Sequence, residues 1–232
     1  MAASLVSYSE KERKDLLLKI YGRMLKRFGQ RNWWPGETQF EVCVGAVLTQ
    51  NTAWKNVEKA IANLKQSGKL DLESILNIDI DELALLIRPA GYFRLKARRL
   101  KSLVEYLYKR GGRKLSKIRD VQTQQLRAEL LAVWGIGPET ADSILLYAFE
   151  RPVFVVDAYT KRIFSRMGLI SREADYEEVR TFFENNLPER LQLFNDYHAQ
   201  IVATGHNYCS PKPRCEECPL EDLCPKLIWR QE

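Results

Sequence analysis

Four cysteines inside a sixteen-residue window constrain this chain more than any other feature of its sequence. Cys209, Cys215, Cys218 and Cys224 read C-x5-C-x2-C-x5-C, while the fifth, Cys43, stands alone in the apolar run 40–48. A chain of 232 residues can bury a core without covalent staples. Residues 1–14 soon turn charged and lack the apolar stretch of a signal peptide, so a reducing, cytoplasmic setting is expected rather than paired disulfides. Four thiolates from one short loop suit a tetrahedral metal site, either zinc or an iron–sulfur cluster. Spacing leaves both open. Zinc sites usually pair two CxxC knuckles, and here there is one, Cys215 to Cys218. Cys43 is expected to pack as a small hydrophobe.

The rest of the chain reads as helical. Leu17, Tyr21, Met24 and Phe28 recur at i, i+4 and i+7, with basic residues between them. Val57, Ile61 and Leu64 repeat the pattern, and Ala97, Leu100, Leu103, Val104 and Leu107 form a third stripe that ends at Gly111-Gly112. Further helices are expected over 120–133, 139–149, 158–167, 176–186 and 191–204. The only strand-like stretch, 153–156, is too short to found a sheet. The fold class is all-α, and no apolar run approaches the 18 residues of a membrane-spanning helix. Lys and Arg exceed Asp and Glu by 36 − 30 = 6, a surplus that permits a polyanionic partner without requiring one.

A second motif narrows the partner. Around 125–149, an apolar helix end, the turn Gly135-Ile136-Gly137 and a fresh helix start at Pro138 make a helix-hairpin-helix element. Its glycines are expected at φ > 0, where the backbone can approach a phosphate without a Cβ clash. Amides at the following helix start would donate to that phosphate. Such contacts position DNA and carry no base information. Twenty residues beyond Gly137, Asp157 follows the apolar run 153–156 and precedes a helix, which by itself reads as an N-cap.

Hairpin, aspartate and four-cysteine loop, in this order and at these separations, resemble the endonuclease III branch of the helix-hairpin-helix DNA glycosylases over roughly residues 30 to 225. The resemblance implies two helical domains, 31–151 and 1–30 plus 152–232, with DNA in the cleft between them. It also implies a [4Fe–4S] cluster on Cys209, Cys215, Cys218 and Cys224, and a monomer acting on double-stranded DNA that contains a damaged base. Asp157 matches the family's catalytic aspartate, which would stabilise an oxocarbenium-like transition state or orient water.

Bifunctional members carry a nucleophilic lysine two residues after the second hairpin glycine. Glu139 stands there, so the resemblance implies a monofunctional enzyme that releases the base and leaves an abasic site. Lys161, one turn beyond Asp157, could supply an amine, but a phosphate contact or solvated surface is the expectation. Asn32-Trp33-Trp34-Pro35, with Phe40-Glu41-Val42 and 45–52 following, resembles the 3-methyladenine glycosylases of this superfamily. Trp33, Trp34 and Pro35 would then form a pocket for a flat alkylated purine. Those enzymes need not carry the cysteine loop, so the chain combines features of two branches.

Gln50 or Asn51 would fill the gap left by the extruded base, and Tyr92 or Phe93 would wedge against the opposite strand. Lys96, Arg110, Arg113, Lys212 and Arg214 are candidate phosphate contacts. The first cysteine gap holds five residues, where the family usually has six. Pro211 and Pro213 would stiffen that shorter loop. Competing readings are a bifunctional glycosylase/lyase for oxidised pyrimidines, a mismatch-specific glycosylase, and a DNA-binding module without catalysis.

Overall fold

A computed structural model describes residues 9–31 and 33–227. Asn32, the start of the Asn32-Trp33-Trp34-Pro35 motif, and residues 1–8 lie outside the described residues, so those parts of the sequence reading have no structural counterpart. The described chain is all-α. It divides into two compact units, one formed by Trp34–Arg151 and the other by the described parts of Met1–Trp33 and Pro152–Glu232.

In the Trp34–Arg151 unit, α2 (Gln39–Leu48) is buried on every side, from Phe40 through Leu48, which its continuous apolar sequence dictates. It packs on α3 (Trp54–Gln66), and α6 (Phe93–Gly111) packs on α4 (Leu72–Asn77) and α5 (Ile80–Leu86). The expected stripe of Ala97, Leu100, Leu103, Val104 and Leu107 is the buried face of α6. α7 (Thr123–Leu131) and α8 (Pro138–Ser143) flank the hairpin. Two expectations here need correction. The helix expected from 120 starts at Thr123, after a 3-10 turn over Leu115–Asp120. The helix expected over 139–149 gives way after Ser143 to a π-turn, Ile144–Ala148, closed by the Phe149 amide on the Ile144 carbonyl at 3.1 Å.

In the other unit, α1 (Glu10–Phe28) opens with a Ser9/Glu12 capping box and packs on α10 (Tyr176–Asn186) and α11 (Leu191–Asn207). α9 (Ala158–Arg166) lies against α11. Phe154 stacks flat on Phe183 at 4.0 Å, and Phe164 meets the same ring edge-on at 4.7 Å. The fully buried Tyr197 sends its hydroxyl to the Leu17 carbonyl, 2.8 Å away. The apolar run 153–156 is buried without forming a strand.

Candidate active site

Asp157 is the N-cap of α9. Its Oδ1 accepts the Thr160 amide at 2.7 Å and the Thr160 hydroxyl at 2.8 Å. The structural role expected of an aspartate before a helix is therefore real, but it occupies one oxygen. Oδ2 faces Nε2 of His198 on α11 at 3.7 Å, an ion-pair distance longer than a hydrogen bond. Both side chains are nearly buried, at 11% and 7% exposure. Burial pushes the carboxyl up, yet the His198 imidazole and the Thr160 donors outweigh it and hold the group below its ordinary value. The outcome is an ionised carboxylate kept in a sheltered place. Lys161 is no free amine beside it: its Nζ donates to the Ala174 carbonyl at 2.8 Å.

The far end of α9 meets the cysteine loop. The Arg166 guanidinium donates to Sγ of Cys209 at 3.2 Å and to the carbonyls of Ser210 and Pro211 at 2.8 and 3.2 Å. One turn earlier, Arg162 donates to the Cys209 carbonyl at 2.6 Å. Cys209, Cys215, Cys218 and Cys224 all line one pocket, whose other walls include Ile163, Met167 and Leu220. Among the described residues, no three His, Cys, Asp or Glu side chains are drawn together tightly enough to hold a metal ion. Burial and the neighbouring thiols push the Cys218 thiol up to about 11 and raise Cys224 as well. Burial disfavours the thiolate form of Cys218 and Cys224, a cost that a bound cation would offset. The Arg166 guanidinium donates to Sγ of Cys209 and the Lys226 amide to Sγ of Cys224 at 3.4 Å, bonds of the kind that tune thiolate ligands where a metal group is held. Lys212 and Arg214 are exposed on this loop, with Arg214 bonded to the Asn207 carbonyl.

In the hairpin only one glycine needs a left-handed backbone. Gly135 has φ 84°, and a Cβ there would come within 2.3 Å of the Arg99 Cγ. Gly137 is extended, at φ −92°, contrary to expectation; a Cβ there would meet open space, so the position leaves room outside the chain. Ile136 between them is buried. Arg127 on α7 pairs with the fully buried Asp142 on α8 at 2.7 and 3.0 Å, clamping the two arms. Glu139 is exposed in the first turn of α8, where its charge suits the helix dipole.

Gln50 and Asn51 part company. The Gln50 amide donates to the Gly135 carbonyl at 3.1 Å and to the Thr140 hydroxyl at 3.0 Å, and its oxygen accepts from Arg99. Asn51 is exposed with φ 51°. Tyr92 is likewise left-handed, at φ 45°, and 71% exposed, whereas Phe93 is half-buried. Lys96 is not a surface cation: it is 1% exposed and its ammonium is enclosed by protein oxygens. Arg110 bonds Glu129 and Arg113 pairs with Glu73, so neither is an unengaged charge.

Trp34 sits in an aromatic cluster of its own unit. It meets Trp54 edge-on at 5.1 Å and Tyr147 of the π-turn at 5.2 Å. All three are half-buried. A Cβ on Gly45 would stand 3.1 Å from the Trp34 indole, so α2 must be bare there for the ring to lie against it. Trp33 is half-buried and Pro35 exposed. Trp54, Tyr147 and His198 were not singled out from the sequence. His198, one of only two histidines, could have been flagged by its scarcity.

Residues 44–189 match the family model described as HhH-GPD superfamily base excision DNA repair protein. The chain belongs to this superfamily. A putative DNA repair glycosylase of Methanocaldococcus jannaschii is 51% identical, over 92% of this chain and 98% of the relative. Endonuclease III of Sulfolobus acidocaldarius is 30% identical over 80% of this chain and 81% of its own. Among solved structures, the H. pylori 3-methyladenine DNA glycosylase bound to 1,N6-ethenoadenine is 31% identical, with a TM-score of 0.69 over 86% of this chain and 98% of that one. A trapped endonuclease III–DNA covalent intermediate has a TM-score of 0.78 at 23% identity over 95% and 97%, a likeness of fold. This HhH-GPD protein is a DNA N-glycosylase of base excision repair.

Proposed function

We propose that the enzyme removes an alkylated purine such as 3-methyladenine from double-stranded DNA by hydrolysis alone. The observation that carries the substrate class is the half-exposed cluster of Trp34, Trp54 and Tyr147. A base taken out of the stack needs flat apolar faces, and electron-rich rings favour a base that carries positive charge. A relative whose solved form is a 3-methyladenine glycosylase supports the same reading. Such a base is a good leaving group, so the protein need only stabilise the sugar. Asp157, held ionised, is suited to offset the developing oxocarbenium charge or to orient water through Oδ2.

Glu139 cannot form a Schiff base at the family's lysine position, and the Lys161 amine is engaged by a carbonyl. The abasic product therefore stays uncut. Asn51 rather than Gln50 fills the vacated space, because the Gln50 side chain is already engaged by the hairpin and Arg99. Tyr92 rather than Phe93 is the wedge, being the exposed one. Gly135, Ile136 and Gly137, with Lys212 and Arg214, meet phosphates.

The four cysteines would hold a [4Fe–4S] cluster, which would supply rigidity to the loop that carries Lys212 and Arg214. Four thiolates from one short loop, with one CxxC rather than the two of most zinc sites, suit such a cluster. Protein prepared anaerobically should contain four irons and four sulfides per chain, the composition of that cluster; a zinc-filled, iron-free protein would contradict this. The function is tested with duplexes that each carry one lesion. Release of an alkylated purine with strand scission only after alkali supports the proposal. Alkali-independent nicking, or a borohydride-trapped complex, refutes hydrolysis alone. Loss of release in Trp34→Ala and Trp54→Ala would tie the substrate to the aromatic cluster.

A further inference from the structure

Lys96 lies in the first turn of α6 with an ammonium that no solvent reaches. Its three protons go to the Leu48 carbonyl at 2.8 Å, the Thr52 hydroxyl at 2.7 Å and the Ala90 carbonyl at 2.8 Å. Thr52 in turn donates to the same Ala90 carbonyl. Those acceptors belong to two segments far apart in sequence, the 48–52 loop and the 88–92 turn. Each segment carries a non-glycine residue at positive φ, Asn51 in one and Tyr92 in the other. Such residues persist only where the surroundings over-determine them. An ammonium is a costly group to bury where an apolar chain of similar length would fill the space.

Arg99, three residues on, extends the arrangement to a third segment. Its guanidinium bonds Gln50, whose amide reaches the Gly135 carbonyl and Thr140, and its stem lies where a Gly135 side chain would be. Two cations on the first turns of one helix thus hold the gap loop, the wedge turn and the hairpin to a common frame.

We propose that Lys96 and Arg99 are positioning residues for base extrusion: they keep Asn51 and Tyr92 in their strained, outward conformations before DNA arrives. This rests on the reading that Asn51 and Tyr92 enter the duplex. Preorganised loops do not have to be ordered at the moment the base is unstacked, so the contribution falls on extrusion and leaves bond cleavage alone.

The test uses the full chain, with Lys96→Met as the main variant and Thr52→Val as a milder one that removes one hydroxyl, an acceptor for Lys96 and a donor to Ala90. Extrusion is followed by fluorescence of a 2-aminopurine beside the lesion, and cleavage by single-turnover base release. On a fully paired duplex, Lys96→Met should lose the fluorescence rise and slow release by roughly tenfold to a hundredfold. Thr52→Val should shift both in the same direction by less. On a lesion already unstacked in a bulge, both variants should release base at close to the wild-type rate, which a general folding defect would not allow. An undiminished paired-duplex rate, or an equal loss on both substrates, overturns the proposal. Asn51→Ala and Tyr92→Ala run alongside. If they slow extrusion and the Lys96 and Thr52 variants do not, positioning fails and loop insertion stands; if none slows it, loop insertion itself fails.

Discussion

Arg127 and Asp142 meet through two parallel hydrogen bonds, 2.7 and 3.0 Å long, across the arms of the hairpin, with the carboxylate wholly buried. A buried carboxylate stripped of its partner is expensive, whereas apolar replacement of both partners can be neutral. Arg127→Ala should therefore cost about 3–5 kcal/mol in urea unfolding. The double replacement Arg127→Met, Asp142→Leu should recover most of that loss. A single variant as stable as the wild type would show that the pair does not clamp the hairpin.

The two hairpin glycines should separate stability from DNA affinity. Gly135→Ala places a methyl group at φ 84° and against the Arg99 stem, a strain of about 1–3 kcal/mol. Gly137→Ala adds a methyl group that meets nothing in the protein. Its melting temperature should stay close to that of the wild type while affinity for duplex DNA, measured by fluorescence anisotropy, falls. Unchanged affinity would remove Gly137 from the phosphate contact.

Asp157 should keep the enzyme active into acid. Its carboxyl is held below the ordinary value, against burial, by His198 and Thr160. The ionised form is the active one, so the acid limb of kcat should lie below the usual carboxylate pKa of about 3.9. The same depression contributes stability that is fully present above the unfolded pKa and lost as pH falls through the folded one. In His198→Phe the acid limb should move to higher pH. Asp157→Asn should bind lesion DNA and lose excision by roughly a hundredfold to ten-thousandfold. A pH profile that His198→Phe leaves in place would show that the imidazole does not tune this carboxylate.

Glu139→Lys places an amine in the exposed first turn of α8. If that position governs the reaction branch, the variant should form a borohydride-trappable complex and nick the strand without alkali. Wild-type protein should do neither. A Glu139→Lys enzyme that still only hydrolyses would show that the amine alone does not redirect the chemistry.

What the sequence made legible was whatever repeats with the helical period or sits at a fixed local spacing. The α6 stripe, the hairpin, the Asp157 cap and the four cysteines are of this kind. Lys96 reads as a solvent-facing cation because sequence displays its charge but not the oxygens of Leu48 and Ala90 that converge on it. Trp34 was visible, yet its partners Trp54 and Tyr147 lie 20 and 113 positions away, and Tyr147 is presented by a π-turn that no local pattern marks. Gln50 and Asn51 could not be separated until one side chain was seen bonded to the hairpin.

Cys43, fully buried on α2 with its thiol pushed up to about 12, gives the molecule an internal reporter. A maleimide offered to native protein should leave it unlabelled, so any early incorporation counts only sulfurs of the C-terminal loop. Label reaching Cys43 then times the opening of the Trp34–Arg151 unit. One mass spectrum taken through a denaturation series would thereby read loop integrity and core integrity on separate peptides.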